Sequence, residues 1–152
     1  MLLYMVGAVL VVAGAIMIVA GWMGRGQVRR ELSEQHIGFP TEDLPADLAR
    51  YAGARVSTGP QARAFSDIIA THVTAATKGR TYAQITDEWQ AGGRTDDGLR
   101  KLREMAFMGN ALRGALLGAY QAWHITALVA GLGVLFALVG VVFLALGARL
   151  DS

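Results

Sequence analysis

Histidine is the residue type in this sequence best suited to metal or haem ligation, and three are present: His36, His72 and His124. They lie far apart along the chain, and none falls within its two long apolar segments, where a haem held between membrane helices would require them. His124 stands beside Trp123, which is typical of side chains at a membrane surface. Because cysteine is also absent, thiolate metal sites and disulfides are excluded. The sequence therefore predicts no metal site and no cofactor.

Two adjacent acidic pairs, Asp87-Glu88 and Asp96-Asp97, are the other candidates for chemistry. The second pair follows Thr95 and complements the dipole of a helix start, whereas the first is typical of a solvated surface. The sequence contains no phosphate-binding GxxxxGK[ST] loop, no HExxH motif and no GxSxG motif. We therefore expect no catalytic residue and no enzymatic activity.

The composition indicates the class of protein. Residues are 53% hydrophobic and 17% charged, whereas soluble domains carry about 25% charged residues. Residues 1–23 and 125–148 contain no charged side chain, and each segment exceeds the roughly 20 residues that a helix needs to cross a bilayer. Backbone in lipid must satisfy its own hydrogen bonds, so both segments are predicted to be helices. Tyr4, Trp22 and Trp123 lie near their ends, where aromatic side chains favour the headgroup layer.

A cleaved signal peptide and buried core helices are the alternatives for these segments. A signal peptide has a basic start and a shorter apolar core, but no Lys or Arg precedes Arg25. Neither segment carries an acidic, basic or histidine side chain, so we do not expect ion transport by this chain alone. A net charge of +2 on 152 residues does not indicate nucleic-acid binding.

Glycine recurs every seven residues in both apolar segments. Seven residues make about two helical turns, so each series marks one narrow groove in which two helix backbones can approach closely. We interpret the series as the seam of an antiparallel hairpin, and a seam facing a partner protein is the alternative. The predicted helix-packing residues are Gly7, Gly14, Gly21, Ala130, Gly133, Ala137, Gly140 and Gly147.

The two segments flank about 100 residues that hold every charged side chain except Arg149 and Asp151. We predict an all-α membrane protein, a two-helix transmembrane hairpin with a helical domain of about 100 residues between the spans. Its predicted parts are the first span (1–23), the helical extramembrane domain (24–124), the second span (125–148) and a tail (149–152).

Two helix starts stand out between the spans. Ser57 and Thr58 are hydroxyl N-caps before Pro60 and predict a helix over 57–79. A second helix is predicted from about residue 95, running without proline into the second span and kinked near Gly114 or Gly118. Its apolar residues step by three or four positions and predict a stripe buried against the first helix. They are Leu102, Met105, Met108, Leu112, Leu116, Tyr120 and Trp123, with Arg103, Asn110, Arg113, Gln121 and His124 on another face.

Two stretches, GPQARAFSDIIATHVTAATKGRTYAQI (59–85) and HITALVAGLGVLFALVG (124–140), carry a resemblance. They resemble a family of small actinobacterial two-span membrane proteins of unassigned function, in which a small-residue helix ends in T-x-G-[KR]-T-Y before the last span. The likeness covers about two thirds of the chain, which departs from the family in its lysine-free amino terminus and a longer connector at 87–97. Some members are labelled aromatic ring-opening dioxygenases, but iron ligands are missing here, and the family implies no catalytic residues.

The glycine seams, the helical character of the middle segment and the absence of ionisable groups from both spans favour a non-enzymatic accessory or scaffold subunit of a larger membrane protein complex. Actinobacterial respiratory assemblies acquire small two-span subunits, so the resemblance implies such a complex first. Expected partners are the lipid bilayer and other membrane subunits, with self-association left open and no nucleic acid. The alternative is a membrane-anchored module that binds or senses a ligand or lipid, with Met105, Met108 and Leu112 as an adaptable apolar wall.

Two arguments about orientation in the plasma membrane conflict. Arg25, Arg29 and Arg30 follow the first span directly, which by the positive-inside rule places the middle segment in the cytoplasm. That rule holds for loops up to about 60 residues, and this segment is longer. Related sequences with basic amino termini favour the opposite orientation. We predict that both termini are cytoplasmic and that the middle segment is extracytoplasmic.

Overall fold

The computed structural model describes residues 1–150, and this part of the chain is all-helical. Its elements are α1 (Leu2–Glu34), a 3₁₀ turn (Ala49–Tyr51), α2 (Gly59–Thr77), α3 (Tyr82–Ala91) and α4 (Asp97–Leu150). Between residues 1 and 150 no β-strand forms, although Gly38 and Arg55 make an isolated antiparallel bridge.

The helices α1 and α4 are both long and apolar enough to cross a membrane. Only 11% of the most apolar window of each helix is buried, whereas a core helix of a soluble protein is mostly buried. The α1 helix also continues beyond its apolar segment to Glu34, because the residues after Gly24 include good helix formers.

Residues 35–58 join α1 to α2 with little regular structure. The backbone N–H of Phe39 donates to the carbonyl oxygen of Ala54 at 2.9 Å, which closes this segment into a loop. The Phe39 ring is buried, stacked on Tyr51 with centroids 5.1 Å apart and edge-on to Phe65 of α2 at 5.3 Å. An aromatic cluster therefore holds the loop against α2.

The start of α2 lies where the sequence predicts it, but the capping chemistry differs. The Thr58 hydroxyl does not accept a backbone hydrogen bond; it donates to Oε1 of Gln61 at 2.9 Å. The same Gln61 oxygen accepts from the backbone N–H of Ser57 at 3.0 Å, so Gln61 ties the two residues before the helix to its first turn. The helix ends at Lys78, which adopts the left-handed conformation (φ 55°).

The starts of α3 and α4 are capped by side chains. Thr81 and Gln84 form a reciprocal capping box, in which each side chain accepts a hydrogen bond from the other residue's backbone N–H. At α4, Oδ1 of Asp96 accepts from the backbone N–H of Leu99 at 2.9 Å. The α4 helix then runs to Leu150 and is unbroken at the two glycines where a kink was expected.

The chain forms two compact units. The first unit is Met1–Glu31 together with the chain from Gln121 onward, and the second unit is Leu32–Tyr120. Both α1 and α4 contribute to both units. The predicted separate domain of about 100 residues is not supported in that form, because α4 runs without interruption from Asp97 through the second apolar segment.

Candidate functional site

The predicted helix-packing glycines of α1 and α4 lie opposite one another in the first unit. A Cβ atom added at Gly14 would lie 2.5 Å from the carbonyl oxygen of Gly133, and one added at Gly7 would lie 2.8 Å from that of Gly140. Cβ atoms do not approach backbone oxygens this closely, so only glycine permits this separation of the antiparallel helices. All four glycines are buried.

The seam extends beyond these glycine pairs. A Cβ atom at Gly21 would lie 2.7 Å from the carbonyl oxygen of Thr126 and 2.9 Å from Cβ of Ala130, while Ala137 packs against Gly14. At the other end the Cβ position of Gly147 lies 3.0 Å from the Tyr4 ring. In contrast, Gly131 has nothing within 4 Å of its Cβ position and lies off the seam.

An arginine–tryptophan contact lies where the seam ends. The guanidinium carbon of Arg25 lies 4.2 Å from the centroid of the Trp123 ring, which is within the range of a cation–π interaction. Trp22, one turn earlier on α1, is 81% exposed. Gly26, beside Arg25, has nothing within 4 Å of its Cβ position. Aromatic rings and a positive charge thus mark the end of both apolar segments.

An open, mainly apolar groove of about 860 Å³ lies in the second unit. Met105, Met108 and Leu112 of α4, the predicted apolar wall, line it together with Val73 of α2. Phe107 also lines the groove and is 59% exposed. We call this surface the α2–α4 groove.

The predicted apolar stripe of α4 is buried only in part: Leu116 is buried, whereas Leu102, Met105, Tyr120 and Trp123 are half-buried. Met108 is 70% exposed and Leu112 is 42% exposed, whereas Ala106 is buried. The physical reason lies at Gly109, because a Cβ atom there would collide with Cγ2 of Val73. The α4 helix approaches α2 closely at Gly109, and Met108 and Leu112 line the groove beside this contact.

Two arginines of the predicted polar face of α4, Arg103 and Arg113, are half-buried, whereas Asn110 is exposed. The guanidinium of Arg103 lies 4.2 Å from the centroid of the Trp89 ring on α3. Nε of Arg113 and Nε1 of Trp89 are buried and have no hydrogen-bond partner among the described residues. The Arg103 guanidinium therefore packs on α3 within the second unit.

The histidines occupy separate environments. Nδ1 of His36 lies 2.6 Å from the carbonyl oxygen of Glu34, and His124 is exposed. His72 lines a cleft of about 360 Å³ with Glu42 and Asp43. Across residues 1–150 no group of three or more His, Asp or Glu side chains is placed to hold a metal ion.

The carboxylates near the helix starts make structural contacts. Asp97 and Glu104 each accept a hydrogen bond from Arg100 at 3.1 Å. These hydrogen bonds, that of Asp97 first, raise the pKa of Arg100 above its usual value. Glu88 accepts a hydrogen bond from Arg80 at 2.6 Å, which ties α3 to the turn before it.

Comparisons with known protein families, curated proteins and solved structures found no match to this chain. The resemblance to the actinobacterial two-span family therefore stays a prediction.

Proposed function

We propose that α1 and α4 cross the plasma membrane as an antiparallel hairpin and that the second unit, including the start of α4, lies outside the bilayer. Support comes from the length and exposure of the two apolar helices and from the glycine seam between them. In a bilayer, where burial of apolar surface does not drive helices together, close packing at small residues holds such a pair.

The same chain is proposed to be a non-enzymatic accessory or scaffold subunit of a larger membrane complex. A respiratory assembly is the first candidate, on the resemblance alone. The observation that carries the scaffold function is the exposed apolar surface of the α2–α4 groove. Phe107 and Met108 are largely exposed there, and Tyr82 extends the surface with its ring 5.8 Å from that of Phe107. Contiguous apolar patches outside the bilayer mark interaction surfaces.

The test compares two charge substitutions on α4 in tagged chains purified from native membranes in mild detergent. Met108→Glu places a carboxylate in the groove, whereas Asn110→Glu adds the same charge at an exposed position of the same helix outside its lining. We expect mass spectrometry to find the same partner subunits with the unmodified chain and Asn110→Glu. Their recovery should fall on the order of tenfold with Met108→Glu. A chain that migrates alone in every detergent would contradict the proposal.

The groove also supports a second candidate, a membrane-anchored module that binds an apolar ligand or lipid. Its volume suits a small molecule, since ligand pockets usually span about 300–1,000 Å³. Ala111→Trp would fill the groove. An apolar compound found in organic extracts of the unmodified chain and absent from extracts of this variant, without protein partners, would favour the ligand-binding function.

The proposed orientation keeps both termini in the cytoplasm and the second unit outside the cell. It rests on the length of the polar segment, because long segments cross the membrane largely regardless of their charge.

A further inference from the structure

Two methionines line the α2–α4 groove, and they differ in exposure. Met105 and Met108 are the methionines that lie outside the two apolar segments, 1–23 and 125–148. Both line the groove, but Met108 is 70% exposed whereas Met105 is half-buried. Because both side chains carry the same thioether, accessibility should make Met108 the more reactive of the two toward a reagent in water.

The surroundings of Met108 in the groove do not suit a polar group. The neighbouring Phe107 ring is apolar and also lines the groove. Glu104, one helical turn before Met108, lines it as well, but its carboxylate offers no hydrogen-bond donor. Lys101 is the charged donor in the lining, and it lies seven residues from Met108, about 10 Å along α4. An oxygen atom added to the Met108 sulfur would therefore lie among apolar side chains.

We propose that Met108 is a modification site, at which a peroxide converts the thioether to a sulfoxide and thereby prevents a partner subunit from docking in the α2–α4 groove. The sulfur donates an electron pair to one peroxide oxygen, so an S–O bond forms and the O–O bond breaks. The sulfur is oxidised by two electrons, and with hydrogen peroxide the second oxygen leaves as water with both hydrogens. The inference rests on the proposed scaffold function of this groove.

The sulfoxide opposes docking without opposing folding. In the free chain, water reaches the largely exposed Met108 side chain and solvates the new oxygen. A docked partner would exclude this water and leave the oxygen without a donor from the groove. Burying an unpaired polar group is costly, so we expect binding on the order of tenfold weaker. Because sulfoxide reductases restore the thioether, the loss should be reversible.

The experiment measures oxidation and partner binding on the same sample. The purified, tagged full chain is treated with hydrogen peroxide in mild detergent, and the peroxide is removed with catalase before detergent-solubilised native membranes are added. Trypsin cleavage after Arg103 and Arg113 releases one peptide, 104–113, that contains both methionines. Its fragment masses show which sulfur has gained oxygen. We expect Met108 to be oxidised several-fold faster than Met105, and recovery of partner subunits to fall about tenfold.

Matched leucine variants assign the effect to one sulfur. Met108→Leu keeps an apolar side chain in the groove and cannot be oxidised there, so its partner recovery should be the same before and after peroxide. Met105→Leu retains Met108 and should lose its partners as the unmodified chain does. Methionine sulfoxide reductases specific for the two sulfoxide epimers should restore recovery with the oxidised, unmodified chain.

The possible failures are distinct. Oxidation of Met105 ahead of Met108, or loss of partners from peroxide-treated Met108→Leu, overturns Met108 as the site. Unchanged recovery after complete oxidation of Met108 overturns the inference and leaves the scaffold function intact. Loss of helical circular dichroism on oxidation would attribute the effect to unfolding and also overturn it. Absence of partner subunits before any peroxide treatment overturns the scaffold function itself, and the inference with it.

Discussion

Gly109 allows α4 to approach α2 closely. Its missing side chain leaves room for Val73, whose branched Cβ has little freedom to rotate within a helix. A search for apolar residues at helical spacing passes over Gly109, because glycine weakens helices and contributes no apolar side-chain area. Met108 and Leu112 therefore look like core residues in the sequence, although the folded chain turns them toward the groove.

Replacing Gly109 with alanine is expected to destabilise the second unit relative to the same substitution at Gly114. The added methyl group at Gly109 would overlap Val73, whereas nothing lies within 4 Å of the Gly114 position. The difference in free energy of unfolding should be about 1–3 kcal/mol. Thermal unfolding followed by circular dichroism in one detergent measures it, and adding Val73→Ala should restore most of the loss. Equal stabilities of the two alanine variants would show that α4 does not approach α2 as described.

The sequence predicts the positions at which α2 and α4 begin, but it does not predict every contact at those helix starts. Hydroxyl and acidic residues before α2 and α4 place both starts correctly, because few residue types cap helices well. The Thr58 hydroxyl nevertheless donates to Gln61 and does not cap α2, whereas the capping box of α3 is present in the sequence as Thr81-x-x-Gln84. The aromatic cluster around Phe39 is not predictable in this way, because its rings come from two ends of the loop and from α2.

The pairing of α1 with α4 depends on glycine at seam positions and not on glycine content. Gly133→Ala would place a methyl group 2.6 Å from the carbonyl oxygen of Gly14, and both backbones would have to move apart. Gly131→Ala, two residues away on the same helix, meets nothing within 4 Å. We expect a difference of about 1–3 kcal/mol in stability, with Gly131→Ala neutral or slightly stabilising.

Thermal denaturation of both variants in the same detergent tests this expectation. The reciprocal change Gly14→Ala should behave like Gly133→Ala, because its methyl group would lie 2.5 Å from the opposite carbonyl oxygen. Similar midpoints for the variants at residues 131 and 133 would contradict the close approach of the helices.

For the whole molecule, the regular seven-residue spacing makes the helix pair predictable, whereas the second unit depends on contacts between distant segments.

The orientation of the chain in the membrane follows neither from the glycine spacing nor from the contacts of the second unit. It is tested with cysteines, which the natural chain lacks. Ala75→Cys lies at an exposed position of α2, and Arg149→Cys lies near the carboxyl end. A membrane-impermeant thiol reagent on intact cells should label Ala75→Cys and should label Arg149→Cys only after lysis. The reverse pattern would place the second unit in the cytoplasm.

The contact between Arg25 and Trp123 has a consequence for the register of the helix pair. A slide of α4 by seven residues, about 10 Å, would bring Gly147, Gly140 and Gly133 opposite Gly7, Gly14 and Gly21. The glycines alone are therefore compatible with two alignments of the helix pair. In the shifted alignment the guanidinium of Arg25 would lie beside Ala130, among apolar side chains of α4 and without its aromatic partner. Arg25 therefore favours the observed alignment, because moving its charged group among apolar side chains would cost desolvation free energy.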